Sequence, residues 1–111
     1  MADNFTNAVI ADIGTSDSIV YTVPSGKKSI LIQFDVSNIT GSDIQIEAFL
    51  YKSSTSVRGR LIKNGTIPVG ATLEVISSGK KIVLLAGDYI GVKSSVVTSA
   101  DAVASILEDV S

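Results

Sequence analysis

The feature that most constrains this chain is strict alternation. Residues 29–38, Ser-Ile-Leu-Ile-Gln-Phe-Asp-Val-Ser-Asn, place Ile30, Ile32, Phe34 and Val36 on one side and Leu31, Gln33, Asp35 and Ser37 on the other. A period of two is the mark of a strand with one buried face. The pattern recurs in residues 43–52, where Ile44, Ile46, Ala48 and Leu50 share a side and Phe49 and Tyr51 make the opposite side partly apolar near its end. Residues 18–23 repeat it with Ile19, Tyr21 and Val23, and residues 71–76, 81–85 and 88–95 read as further short strands. Turn signals separate these runs about every 8 to 12 residues, the spacing of antiparallel sandwiches and barrels. The expected fold is therefore all-β: an antiparallel β-sandwich, jelly-roll-like or Ig-like, with about eight strands. Its expected core is Ile30, Ile32, Phe34, Ile44, Ile46, Leu73, Val75, Ile82, Leu84, Ile90 and Val92.

The tetrapeptide Ser-Gly-Lys-Lys occurs twice, at 25–28 and at 78–81. A phosphate-binding loop needs a glycine five residues before the Gly-Lys pair, a Ser or Thr after it, and a following helix. Here Tyr21 and Glu74 stand at the glycine position, a second Lys replaces the hydroxyl, and strand-like sequence follows each copy. Both copies read as turns built on Gly26 and Gly79. Asn64-Gly65 is the dipeptide that best tolerates a type I′ turn, so it predicts a hairpin with residues 66–69 returning. Gly70 follows Pro68-Val69 as another turn glycine, and Gly87, in Leu-Ala-Gly-Asp, is placed for the positive φ of a type II turn.

Two segments stay ambiguous. Residues 98–111 fit a helical stripe through Val103, Ile106, Leu107 and Val110 behind a Thr98/Asp101 capping box, which local rules slightly favour, and also a strand face of Val103, Ser105 and Leu107. A strand is preferred because it would close an open sheet edge. Residues 1–16 are less regular and acidic, and read as an N-terminal arm or an edge strand beside a single sandwich domain at 17–111. One domain is what 111 residues can build around one core.

The inventory of reactive side chains is short. The chain has no Cys and no His, which removes disulfides, thiolates and imidazoles together. Any catalysis would rest on carboxylates, lysines, tyrosines or hydroxyls, so no enzyme, cofactor or metal is expected. Asp43 and Asp88 could serve calcium from turns, but no EF-hand-like spacing of acids accompanies them. Aromatic residues are 5% with no Trp, too few for a sugar-stacking platform. The N-terminus lacks the basic region of an export signal, which predicts synthesis in the cytosol, where the Asn4, Asn38 and Asn64 sequons are chance matches. The longest apolar run, residues 82–87, is far below a membrane span.

Net charge is −2, which argues against nucleic acid. The charge is uneven. All nine bases lie between Tyr21 and Lys93 among five acids, and each end carries three acids. Copies of such a chain can dock acidic ends on basic surfaces, with Lys27, Lys28, Arg58, Arg60, Lys80 and Lys81 as candidate contacts. The apolar part of that contact is expected from residues 9–13, chiefly Val9, Ile10 and Ile13. On this reading, deleting residues 1–16 leaves a folded sandwich that no longer associates.

From Ile19 to Glu108 the order of signals is familiar: VPSGKK, a strand ending at Asn38, GSD, LYK, LIKNGTIPVGATLEV, KIVLLAGDYIGVKSS and VASILE. It resembles small virion structural proteins of tailed bacteriophages, in which IP-x-G and L-x-AGD-x-I-x-V mark the second half of a β-sandwich. The resemblance implies a non-enzymatic protein of the virion, made in the host cytoplasm, and first of all a capsid decoration (cement) protein. A neck, tail or baseplate accessory protein is the alternative, and an intracellular binding module unrelated to virions is the second. Implied partners are the major capsid protein or neck and tail proteins, and further copies of the chain in a homo-oligomer. Nucleic acid and membrane are not expected partners.

Overall fold

A computed structural model describes residues 4–76 and 79–108. Nine strands follow in order: β1 (Asn4–Ile13), β2 (Ser18–Thr22), β3 (Lys28–Asn38), β4 (Ile44–Lys52), β5 (Val57–Ile67), β6 (Thr72–Ile76), β7 (Ile82–Leu85), β8 (Tyr89–Ser94) and β9 (Ala100–Glu108). All pairings are antiparallel. The first sheet runs β1-β9-β3-β6, with β7 also on β3, and the second runs β2-β8-β4-β5.

The order follows from one long folded ribbon. β4 and β5 form its tip, and β3 with β6 and β7, β2 with β8, and β1 with β9 pair successively back along it. Rolling the ribbon adds two new ladders, β9 on β3 and β8 on β4, and divides it into two packed sheets. That is the jelly-roll topology. Of the two sandwich forms expected, the strand order selects this one, with one strand position split into β6 and β7.

The core is where alternation put it, except where a bulge resets the phase. Phe34, Ile44, Ile46, Leu84, Ile90 and Val92 are buried, and Leu73, Val75 and Ile82 pack partly buried against them. Ile30 and Ile32 are the correction. Leu31 pairs with Ile106 and Gln33 with Ser105, so Ile32 is an extra residue. An inserted residue moves every later side chain to the opposite face. Ser29 and Leu31 therefore point inward before the bulge, and Phe34, Val36 and Asn38 after it. β2 repeats the effect: its register shifts between Ile19 and Tyr21, burying Val20 and Val23 and leaving Ile19 exposed.

Asn64-Gly65 is not a hairpin turn. The chain reverses earlier, at Ser53–Ser56, where the Ser56 amide donates to the Ser53 carbonyl, and β5 runs unbroken past residue 65. Residues 65–67 do not fold back but continue along β4, with Gly65, Thr66 and Ile67 opposite Ile46, Gln45 and Ile44. Asn64 instead lies in a bulge: Ile46 faces Gly65 and Ala48 faces Ile62, so Lys63 and Asn64 together oppose Glu47. Gly65 is buried, and a Cβ there would come within 2.6 Å of Ile62 Cδ1 and 2.8 Å of Leu73 Cδ2. It is a packing glycine.

The other turn glycines keep their role. Lys27 donates to Pro24, Ala71 to Pro68 and Asp88 to Leu85 across four-residue turns, with Gly26, Gly70 and Gly87 third in each at φ 76°, 72° and 87°. Positive φ at that position is the type II requirement. Gly79 also has positive φ, 88°, while its neighbours 77 and 78 lie outside the described residues. The C-terminal segment is a strand, though not for the reason expected. β9 covers no edge; it is central, between β1 and β3. Its inward face is Ala100, Ala102, Ala104 and Ile106, and Val103, Ser105 and Leu107 face out.

Candidate interaction surfaces

The outer face of the second sheet carries a cluster of rings and charges. Phe49 is 0% exposed although it lies on the side away from the core, because its neighbour across the ladder is Gly91 and its ring fills the space a side chain would take. A Cβ at Gly91 would stand 2.4 Å from Phe49 Cζ. From edge strand β5 the Arg58 side chain reaches over this ring, its guanidinium carbon 3.8 Å from the centroid, and its NH2 donates to Asp17 Oδ2 at 2.8 Å, just before the opposite edge strand. The strap joins both edges of the sheet. Tyr89 meets Phe49 edge-on at 6.3 Å and stacks on Tyr51 at 4.8 Å. Hydrogen bonding to Asp17 outweighs burial and pushes the Arg58 pKa up, so the cation is held more firmly.

Glu47 is buried beside this strap. Its Oε2 lies 3.4 Å from Arg60 Nε and 3.8 Å from Arg58 NH1, within ion-pairing distance but without a well-formed hydrogen bond. Next to it the β5 bulge opens a shallow cleft lined by Gln45, Glu47, Lys63, Asn64, Lys93 and Ser95. Among the described residues no three His, Cys, Asp or Glu side chains gather to hold a metal ion. The carboxylate of Asp88 accepts from the amides of Ser53 and Leu85.

The outer face of the first sheet is different in kind. Register aligns Phe5, Leu107, Ile30 and Val83 in one row across β1, β9, β3 and β7, with Leu85 two residues beyond Val83, and aligns Val9 with Val103 in a parallel row. Phe5 is 79% exposed, Val83 64% and Val9 61%. Scattered exposed side chains need no explanation; these are aligned by register on one sheet face, which makes the face a candidate interaction surface. At one end of the sandwich, Ile39, Val69, Val96 and Val97 are also exposed.

The candidate contact residues do not form one surface. Val9 is exposed on the apolar face and Ile10 packs partly buried against the core. Ile13, 1% exposed, belongs to the core and is no contact residue, because β1 turns inward at its end beside Ala100. Deleting residues 1–16 would therefore remove a strand that pairs along β9 and a core side chain, Ile13, as well as any contact the segment makes. Lys28 pairs with Leu85, and Lys81 precedes Ile82, which pairs with Leu31, so the two lysine turns flank the same β3/β7 ladder. Arg58 and Arg60 lie on the other sheet, engaged with acids of their own chain. Phe5, Val83, Leu85 and Val103 were missed. The alternation of Phe5, Asn7 and Val9, and of Val83 and Leu85 about Leu84, held the local signal, and the row exists only once four strands are in register.

Between the sheets, Tyr21 Oη bonds to Ser29 Oγ at 2.8 Å and donates to Glu108 Oε2. Burial first, and then the bond to the Glu108 carboxylate, raise the phenol to about 12 from 10.0. A folded-state pKa above the unfolded one stabilises the fold below the unfolded value and loses that contribution as pH rises through the folded one. Discounted for partial exposure, a loss of about 1–2 kcal/mol is expected between pH 10 and 12. Denaturant titrations of the natural chain and Tyr21→Phe across that window should show the extra slope only in the former.

The chain matches no protein-family model and no curated protein. Among the described residues no helix is long and apolar enough to cross a membrane.

Proposed function

We propose that the chain is a non-enzymatic structural protein of the virion of a tailed bacteriophage, a capsid decoration protein that binds the assembled particle. One observation carries this reading: the apolar row Phe5–Leu107–Ile30–Val83 on the outer face of the first sheet. A face of this kind favours stable docking on a large surface, and its partners on this reading are the major capsid protein and further copies of the chain. The jelly roll supports it by analogy, being a recurrent fold of viral capsid proteins. The protein is made in the host cytoplasm and resides in the virion.

The test uses purified particles. Mass spectrometry should find the chain at a fixed ratio to the major capsid protein, and the recombinant chain should co-sediment with stripped heads. Val83→Asp, on the exposed face, should weaken that binding at least tenfold while leaving the fold intact, since an exposed substitution costs little stability. Binding to isolated tails and not heads would move the protein to the neck, tail or baseplate. Absence from virions would overturn the reading in favour of an intracellular binding module.

A further inference from the structure

A sandwich of two open sheets has four edges, and unpaired edges invite strand addition unless something blocks it. Three of the four are blocked here. The β5 edge has two bulges and carries Arg58, Arg60 and Lys63. The β2 edge is five residues long, has a register shift, and lies between Asp17 and Pro24. The β6/β7 edge is broken into strands of five and four residues.

From Asn4 to Ile10 β1 has none of these devices; its own register shift and its one charge, Asp12, come only at its far end. It is ten residues long, keeps a regular register with β9 from Asn4 to Ile10, and contains no charge, Pro or Gly from Asn4 through Ala11. Among the described residues no strand pairs with its outer side. Leaving this edge alone unprotected is consistent with use.

We infer that β1 pairs antiparallel with β1 of a second copy about a two-fold axis at Asn7, joining the first sheets of two chains into one. The occupant is a second copy because the strand complements itself. Centring on Asn7 sets Phe5 opposite Val9 of the second copy, Thr6 opposite Ala8, and Asn4 opposite Ile10. Phe5, Asn7 and Val9 share the outer face, so the exposed ring of each chain covers an exposed valine of the other. No like charges meet across the axis, as they would at β5. An isologous contact of this kind closes at two copies. The inference rests on the sheet edges and not on the virion reading, so the particle experiments and the test below fail separately.

The chain has no cysteine, so Asn7→Cys introduces a single thiol. Directly opposed residues of an antiparallel pair have Cα atoms roughly 4.5–5.5 Å apart, within the range a disulfide spans. Light scattering should show the natural chain as a dimer at roughly 100 μM, far above a micromolar Kd. Oxidised Asn7→Cys should become a covalent dimer, and Thr55→Cys at the β4–β5 tip should not. Asn7→Lys and Asn7→Asp should each weaken the dimer at least tenfold, and their equimolar mixture should restore it. Asn7 is exposed, so both variants should keep the natural far-UV spectrum. A monomer at that concentration, a trimer, cross-linking of Asn7→Cys no faster than of Thr55→Cys, or a dimer indifferent to both charges would overturn the inference.

Discussion

Asp88→Ala is expected to destabilise the fold by about 3 kcal/mol, a drop of roughly 10–15 °C in Tm for a domain of this size. Asp88 is 4% exposed, and both its carboxylate oxygens are occupied: Oδ1 accepts from the Ser53 amide at 3.0 Å and Oδ2 from the Leu85 amide at 3.1 Å. Its own amide and carbonyl bond to Leu85 and Val23, while the Gly87 amide donates to Val23. One residue thus ties the β7–β8 turn to the β4–β5 hairpin and to the end of β2. Alanine leaves two amides without their acceptor, and the cost is the desolvation of those groups as well as the lost bonds. Gly87→Val, one residue earlier, should cost about 2–3 kcal/mol by a different route. It forces a β-branched residue to positive φ and sets its Cβ 3.2 Å from Ser53 Cβ. Chemical denaturation of both variants decides the point; natural stability in Asp88→Ala would mean that the carboxylate does not hold the hairpin.

Gly91→Ala is expected to cost about 2–3 kcal/mol, large for a single methyl group on a sheet surface. The methyl would meet Phe49 Cζ at 2.4 Å and Cε1 at 2.9 Å, and the ring cannot simply lift away because Arg58 lies over it and Tyr89 stands at its edge. Displacing the ring also breaks the strap from Arg58 to Asp17. Phe49→Leu removes the clash, so in the double variant the cost of Gly91→Ala should fall by about half or more, a coupling that a double-mutant cycle measures directly. Additive effects would show that Phe49 does not depend on the space at Gly91.

Local rules reached far into this fold because strands announce themselves by alternation and turns by glycine. Residues 44–52 read correctly along their whole length, since Ile44, Ile46 and Ala48 point inward without interruption. Residues 29–38 carry an equally clean alternation and were read half wrongly. Nothing in Ile30-Leu31-Ile32 tells which of three large aliphatic side chains will be the extra one; that is set by the ladder to β9, where Leu31 meets Ile106 and Gln33 meets Ser105. Asn64-Gly65 failed for a related reason. The dipeptide permits positive φ without requiring it, and pairing with β4 on both sides of it makes it part of a bulge within one strand.

The candidate surfaces divide along the same line. That residues 4–11 carry no charge, and that Val83 and Leu85 alternate with Leu84, can be read from the chain itself. That Phe5, Leu107, Ile30 and Val83 form one row and that Phe49 lies in the space at Gly91 cannot be. Each joins residues from strands distant in sequence, and only their register brings them together. Periodicity along the chain determines which side chains can share a face; which strands lie side by side, and at what offset, is decided when the ribbon rolls up and its bulges set the phase of each strand.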